Sequence, residues 1–265
     1  MAIRPATLAD LADIRALLTA ANDMPDDIGP VVEEKCFGAG FEGAPQVRVA
    51  GDFEGIAVTC GKYLRILAVR RDARRRGMGS ELLRDAEARG AQVIAAEPGN
   101  YFTPGVLESM VPFFTARGYR TTARTNNLEC DTGLSRAGSS AVFAARGKKR
   151  REHVLEFIAR EFGPIWRFEA DRGATIFAVE HEGVITGFST QEANNRGLGW
   201  FGPTGVSKEH RGHGFGRALL LASLADLRRL GYHRAVIPWT DAVEFYRKSC
   251  GATIANRFVI LRKSA

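Results

Sequence analysis

At 265 residues, with 45% apolar and 25% charged residues, the chain has the composition of a globular protein with a proper core. It is long enough for one large domain or two of ordinary size. No apolar run approaches a bilayer span, because the longest, ALLLASLADL, soon meets Asp226, Arg228 and Arg229. The N-terminus carries acids throughout and lacks the apolar core and small-residue cleavage site of a leader, so a cytoplasmic location is expected. The net charge of +7 is one-sided: residues 1–138 hold 17 Lys/Arg against 18 Asp/Glu, and the remainder 20 against 12. A basic second half points to an anionic partner, either nucleic acid or a phosphate-bearing ligand.

In chain order, the first element is an amphipathic helix, TLADLADIRALLTAA, followed by the acidic loop NDMPDDIGP. Extended segments APQVRVAG, GIAVTCG and KYLRILAV lead to RRRGMGSELL, where a glycine-rich turn opens a leucine-bearing helix. A strand, AQVIAAEP, and a short helix with an aromatic pair, VPFFTARGY, close the first half. The stretch DTGLSRAGSSAVFAARG, rich in Gly, Ser and Ala, reads as a connection, although SSAVFAAR also fits a strand of either half. The same order then repeats. KKRREHVLEFIAREF is amphipathic, TIFAVEHEGVITGFST is a hairpin turning at Glu-Gly, and GLGWFGPTGV leads into EHRGHGFGRALL. HRAVIPW and WTDAVEFYRKSCGA complete the second set, before a terminal strand. An offset of 137 residues carries Gly77 onto Gly214. Two mixed α/β domains, 1–136 and 137–265, are the economical reading, each a twisted mixed sheet flanked by helices.

Both glycine turns satisfy R-x-x-G-x-G, as Arg74, Gly77, Gly79 and as Arg211, Gly214, Gly216. Each follows a β-like segment ending in valine and opens a helix, whose first amides have no intrahelical partner and whose dipole is positive there. Glycine removes the Cβ atoms that would keep an anion from those amides, so the turn is a backbone cradle for a pyrophosphate. Arg211, His213 and Arg217 add positive charge around the second copy. Neither copy is a Walker A loop, and Arg217 stands where a dinucleotide fingerprint needs its third glycine. Cys36, Cys60, Cys130 and Cys250 are scattered without a C-x-x-C pair or nearby histidines, so neither a disulfide framework nor a metal site is expected.

Strand, R-x-x-G-x-G and leucine helix together resemble the acetyl-CoA motif of the GNAT acetyltransferase superfamily, in two tandem copies covering essentially the whole chain. The resemblance implies acetyl-CoA as co-substrate, its pyrophosphate on Arg211, Gly212, His213, Gly214, Phe215, Gly216 and Arg217. Its pantetheine arm would run beside Thr204, Gly205 and Val206, and the thioester would enter where that strand parts from HRAVIPW. It also implies that Tyr246 protonates the departing thiolate, a reasonable task for a phenol held near sulfur. In the first half Phe114 stands about there and cannot donate a proton, so catalysis is expected in the second half, while the first may still bind acetyl-CoA or only shape the acceptor site. Phe114 lies four residues before Gly118, Tyr246 five before Gly251.

A base for the acceptor amine is harder to place. Asp241 and Glu244 flank the right position after Trp239, yet each also suits a helix N-terminus; Glu180, His181 and Glu192 are weaker candidates. Asp23, Asp26 and Asp27 in the acidic loop suit a cationic substrate or simply solvent. AEPGNYFTPGV, FFTARGYR and AVIPWTDAVEFYRKSCGA are similar to tandem GNAT enzymes acting on amino sugars: glucosamine and glucosaminide N-acetyltransferases and kasugamycin 2′-N-acetyltransferases. By that resemblance the acceptor is a small-molecule amine, an amino sugar or aminoglycoside, and Asn100, Tyr101, Trp239 and Asp241 would line its site with Asp26 and Asp27. A protein N-terminus or lysine as acceptor, and a non-catalytic acetyl-CoA sensor, remain alternatives. The basic residues lie mostly at cradles or on helices without aromatic interleaving, so nucleic acid is not the expected partner.

Overall fold

The computed structural model describes residues 2–24, 26–134 and 141–264. The expected boundary at 136/137 and residues 135–140 of the connection therefore lie outside the described residues, as does Pro25 of the acidic loop. The chain forms two compact units, Met1–Thr125 with Arg257–Ala265, and Asn126–Asn256. By packing, then, the last nine residues belong with the first unit and not with the half that precedes them in sequence.

In the first unit β1 (Ile3–Pro5), α1 (Leu11–Ala21) and α2 (Val32–Phe37) are followed by β2 (Gln46–Ala50), β3 (Gly55–Cys60) and β4 (Tyr63–Val69). These four strands pair antiparallel in chain order. Then come α3 (Met78–Ala88), β5 (Val93–Ile94), β6 (Val106–Leu107), α4 (Val111–Thr115) and the first part of β7 (Tyr119–Asp131). β5 pairs parallel to β4 over only two residues, Tyr63↔Val93 and Leu64↔Ile94, before the strands part. The leucine periodicity of α3 buries Met78, Leu82, Leu83 and Ala86 in a core shared with Ala57, Leu64, Phe114 and Leu261.

The second unit takes residues 126–131 of β7, then β8 (Val142–Ala144), α5 (Lys148–Phe162), α6 (Pro164–Arg172), β9 (Thr175–His181) and β10 (Val184–Gln191). It ends with β11 (Phe201–Val206), α7 (Phe215–Arg229), β12 (Arg234–Thr240), α8 (Val243–Cys250) and the start of β13 (Thr253–Lys263). β8 to β11 form an antiparallel meander, so SSAVFAAR does supply a strand, and to this unit. Its hairpin turns at Glu182 and Gly183, both with positive φ (50° and 79°), the geometry a two-residue turn between twisted strands demands. α5 buries Val154, Leu155, Phe157 and Ile158 on β9 and β10, while its basic first turn faces solvent. α2, α6 and the brevity of β5 are not apparent from periodicity: the two helices are short, and AQVIAAEP bends at Ala95 and Ala96, whose φ angles are 53° and 56°. No helix among the described residues is long and apolar enough to cross a membrane.

One feature of the first unit runs against the rule that strands bury apolar residues. Arg65 of β4 is fully buried, and its Nε and Nη2 donate to both oxygens of Glu97, equally buried. Its Nη1 donates to the carbonyls of Lys35 and Gly38 at 2.8 and 2.9 Å. Removing one partner strands the other charge in the core, at a cost of about 3–5 kcal/mol. Glu97→Ala is therefore expected to reduce the unfolding free energy of the first unit by about that amount, read by denaturant titration.

Candidate functional site

In the second unit β11 touches β12 at a single parallel bridge, Trp200↔Val236. From there β11 stays paired with β10 on one side, through Ser189↔Thr204, Phe188↔Gly205 and Gly187↔Val206. β12 turns instead to β7, with Ile237↔Leu128 and Thr240↔Asn126. A ladder that opens in this way leaves backbone donors and acceptors along the inner edge of β11 available to an extended chain. Small residues keep that edge close to the meander. The Thr204 hydroxyl donates to Phe188 O at 2.9 Å, and a Cβ on Gly205 would lie 2.6 Å from the Phe162 ring. Two side chains of β7 hold the other wall. Asn127 Oδ1 accepts from the Trp239 amide at 3.1 Å, Asn126 Nδ2 donates to Thr240 O at 3.2 Å, and between them β12 bulges at Trp239, with φ 49°.

At the end of β11 the chain makes the glycine turn. Gly212 and Gly214 have φ of 87° and 81°, a left-handed conformation that L side chains rarely adopt, and the space a Cβ would occupy on either is open. Gly214 caps α7, so the first amides of that helix face the same opening. Among the described residues the amides of Gly212, His213 and Gly214 donate to no protein acceptor. Arg211 Nε donates back to Val206 O at 3.3 Å, which ties the turn to the strand and leaves the guanidinium without a carboxylate partner among the described residues. His213 stacks on Phe215 at 5.8 Å and 16°, and Arg217 is exposed one residue beyond Gly216. The donor set suits a diphosphate: backbone amides, a helix N-terminus and unpaired arginines.

α8 lies across this turn. A Cβ on Gly216 would sit 3.5 Å from the Phe245 ring and 3.8 Å from Val206, so the third glycine position is where helix, strand and aromatic converge. Phe245, which sequence reasoning did not single out, is the residue that makes this contact. Tyr246 beside it is 7% exposed and packs with Phe201 of β11 and Ile237 of β12, near the point where the strands part. Its hydroxyl has no hydrogen-bond partner among the described residues. Burial, and then the neighbouring Cys250, push this phenol above its ordinary value of 10, so it stays protonated across the physiological range.

The first unit repeats the frame. Gly77 caps α3 with φ 87°, a Cβ on Gly79 would lie 3.5 Å from the Phe113 ring and 3.7 Å from Val69, and Arg74 Nε donates to Val69 O at 2.9 Å. Phe113 thus corresponds to Phe245 and Phe114, fully buried, to Tyr246. The one-residue difference in spacing to the following glycine is taken up by helix length, since α8 has eight residues and α4 five.

The other candidates are dispersed. Asp241 is exposed just before α8. Glu244 is bound by Arg247 at 2.8 Å, a hydrogen bond that holds its carboxyl below the usual value and makes it a weaker base. Glu192 accepts from the amides of Gly197 and Trp200 and from the Tyr232 hydroxyl, which commits it to holding the loop before β11. His181 clusters with His210, His213 and Phe215 at ring distances of 5.4–6.2 Å. In the first unit Asp23 pairs with Arg71 and Arg74, the Asp27 carboxylate accepts from the Gly29 amide, and the Asp26 carbonyl accepts from Asn22. Asn100 is fully buried, accepting from Lys35 Nζ and donating to three carbonyls of the α2 region, and Tyr101 is buried next to it.

Residues 146–252 match the family model for the acetyltransferase (GNAT) family. No curated protein matches the chain. Among solved structures, the glucosamine N-acetyltransferase region of a fungal multi-domain GH3 β-N-acetylglucosaminidase superposes with a TM-score of 0.78 at 16% identity, over 98% of this chain and 38% of that one. The chain thus spans well under half of that protein. A tandem GNAT protein from the clavulanic acid biosynthesis pathway gives 0.71 at 16% identity, over 98% and 97% of the two chains. A GNAT protein from Sphaerobacter thermophilus gives 0.69 at 19%, over 99% and 95%. At these identities the likeness is one of fold. Residues 146–252 therefore match the GNAT acetyltransferase family, and the chain as a whole shares its fold with GNAT structures.

Proposed function

We propose that the second unit transfers the acetyl group of acetyl-CoA to the primary amine of a small molecule, an amino sugar or aminoglycoside, by direct attack with both substrates bound. The observation that carries the reading is Tyr246, a buried, protonated phenol with a free hydroxyl where β11 and β12 part. Gly212 and Gly214, with the α7 N-terminus, Arg211, His213, Phe215, Gly216 and Arg217, would hold the diphosphate; the inner edge at Thr204, Gly205 and Val206 would pair with the pantetheine amides. Bound acetyl-CoA supplies an activated acyl group and a thiolate leaving group. The chain's part is to fix that group in the strand gap and to pass the Tyr246 proton to the departing sulfur.

The division at 1–136 and 137–265 belongs to this proposal as a duplication, and the matched contacts of Gly79 with Phe113 and Gly216 with Phe245 support it. For the acceptor, support comes from the glucosamine N-acetyltransferase region among the structural neighbours and from the resemblance of the segments around Asn100 and Trp239 to amino-sugar enzymes. Of the acidic candidates for deprotonating the amine, Asp241 and Glu180 have no side-chain partner among the described residues, and Asp241 is the one beside α8; Glu244 and Glu192 are each engaged.

Three measurements test this reading. Tyr246→Phe is expected to lower kcat by about a hundredfold or more while leaving acetyl-CoA affinity unchanged, since the ring still fills its site; an unaltered kcat would remove Tyr246 from the mechanism. Because the phenol is raised, kcat should show no alkaline decline with a midpoint near 10, the ordinary tyrosine value. With coenzyme A release as the readout, a panel of glucosamine, chitosan-type oligomers, kasugamycin, other aminoglycosides and lysine peptides is expected to give turnover on amino sugars. Turnover confined to lysine peptides overturns the acceptor assignment.

A further inference from the structure

Each unit has a pair of parallel strands that touch and part, and a glycine turn beyond. Whether each takes acetyl-CoA depends on what fills the gap between the strands. The offset of 137 residues that places Gly77 on Gly214 also places Tyr63 on Trp200, and these residues occupy matching bridges, Tyr63↔Val93 and Trp200↔Val236. Two residues further along the first strand stand Arg65 in one unit and Gly202 in the other. Four residues beyond the bridge on the second strand stand Glu97 and Thr240. The backbone bulges alike just before them, at Ala96 with φ 56° and Trp239 with φ 49°.

The side chains at these matched positions differ completely. In the first unit Arg65 and Glu97 join across the gap by two hydrogen bonds, both groups excluded from solvent. The third guanidinium nitrogen binds the end of α2 through Lys35 O and Gly38 O. The space around the pair is filled, since a Cβ on Gly40 would fall 1.6 Å from the Glu97 carboxylate. Lys35 and Asn100 extend the network, bonded to each other at 2.8 Å. In the second unit Gly202 has no side chain, and nothing lies within 4 Å of where its Cβ would be. The turns differ in the same sense. Arg75, with φ 66°, occupies the left-handed position that Gly212 holds in the second unit, and Arg71 and Arg74 are neutralised by Asp23.

We infer that the Arg65–Glu97 ion pair closes the thioester gap of the first unit, so that the chain binds one acetyl-CoA, in the second unit alone. A thioester entering the first gap has to separate two fully buried charges, each left without its partner. The same insertion beside Gly202 displaces nothing. Phe114 in place of Tyr246 shows that the first unit lacks the proton donor; the ion pair shows that it lacks the room. Lys35, Asn100 and the carbonyls at the end of α2 make the closure part of the folded core, not a side chain that swings aside.

The inference rests on the acetyl-CoA reading of the second unit, and native mass spectrometry with titration calorimetry on the full chain separates the two. One acetyl-CoA per chain, lost in Gly216→Glu, is the expected result; Gly216 has ordinary helical backbone, so that variant tests the cradle without strain. Two molecules per chain, or one retained by Gly216→Glu, overturns the closure of the first gap while leaving acetyl-CoA as the ligand. No binding at all overturns the acetyl-CoA reading itself, and the inference with it. A wild-type count of two, or of none, decides without the variant.

Discussion

Everything distinctive about this molecule follows from two parallel strands that meet at one point and then separate. Backbone amides and carbonyls are obligatory hydrogen-bonding groups, and a sheet normally satisfies them by continuing its ladders. Here β11 keeps one neighbour, β10, after its single bridge to β12, and β12 finds a new partner in β7. The asparagines of β7 enforce that choice by holding the bulge at Trp239 and Thr240. The opening is thus maintained from both walls, and Phe201, Ile237 and Tyr246 pack close to where it begins. A glycine turn at the far end of β11 adds a site for negative charge in line with the exposed strand edge. Edge, turn and phenol are arranged along one path because three elements, β11, α7 and α8, meet at Gly216.

The two glycines of the motif serve different ends. Gly216 is helical, and its value is that Phe245 and Val206 approach to van der Waals contact with where its Cβ would be. Gly214, by contrast, is needed for its positive φ. The motif read from sequence as one device is therefore two: a left-handed turn that aims amides outward, and a close contact that sets where α8 places Tyr246. Both devices recur in the first unit at Gly77 and Gly79, which is why the repeat is visible in sequence despite little similarity elsewhere.

Much of the architecture was legible because periodicity and turn chemistry agree with it. KKRREHVLEFIAREF is helical over the whole stretch quoted, Lys148–Phe162, and Glu182-Gly183 turns the hairpin as a two-residue loop should. What escaped was decided by long-range packing. The final strand looks like the end of the second half, yet Leu261 and Arg262 pair with Ile94 and Val93 of the first unit. KYLRILAV reads as an ordinary strand, and only the fold shows Arg65 inward, matched by a glutamate 32 residues away. The same holds for the candidate bases. Glu192 and Glu244 look alike as free carboxylates in a sequence, while in the fold one anchors a loop and the other an arginine on its own helix.

Arg65 and Glu97 also bear on how a duplicated fold divides its labour. A buried ion pair is seldom more stabilising than apolar side chains of the same volume, because desolvation consumes most of the attraction. Stability alone therefore does not account for charges where Leu or Met would serve. The pair does have one property that an apolar plug lacks: its hydrogen bonds reach β4, the segment after β5 and the end of α2 at once, fixing all three in one arrangement. In the second unit the corresponding positions are left to Gly202 and Thr240, and the wall is held from outside by Asn126 and Asn127. One backbone thus supports two solutions to a parted strand pair, closed by charge within or kept open by amides from a neighbouring strand. Which solution a unit adopts is set by a few side chains, not by the fold they share.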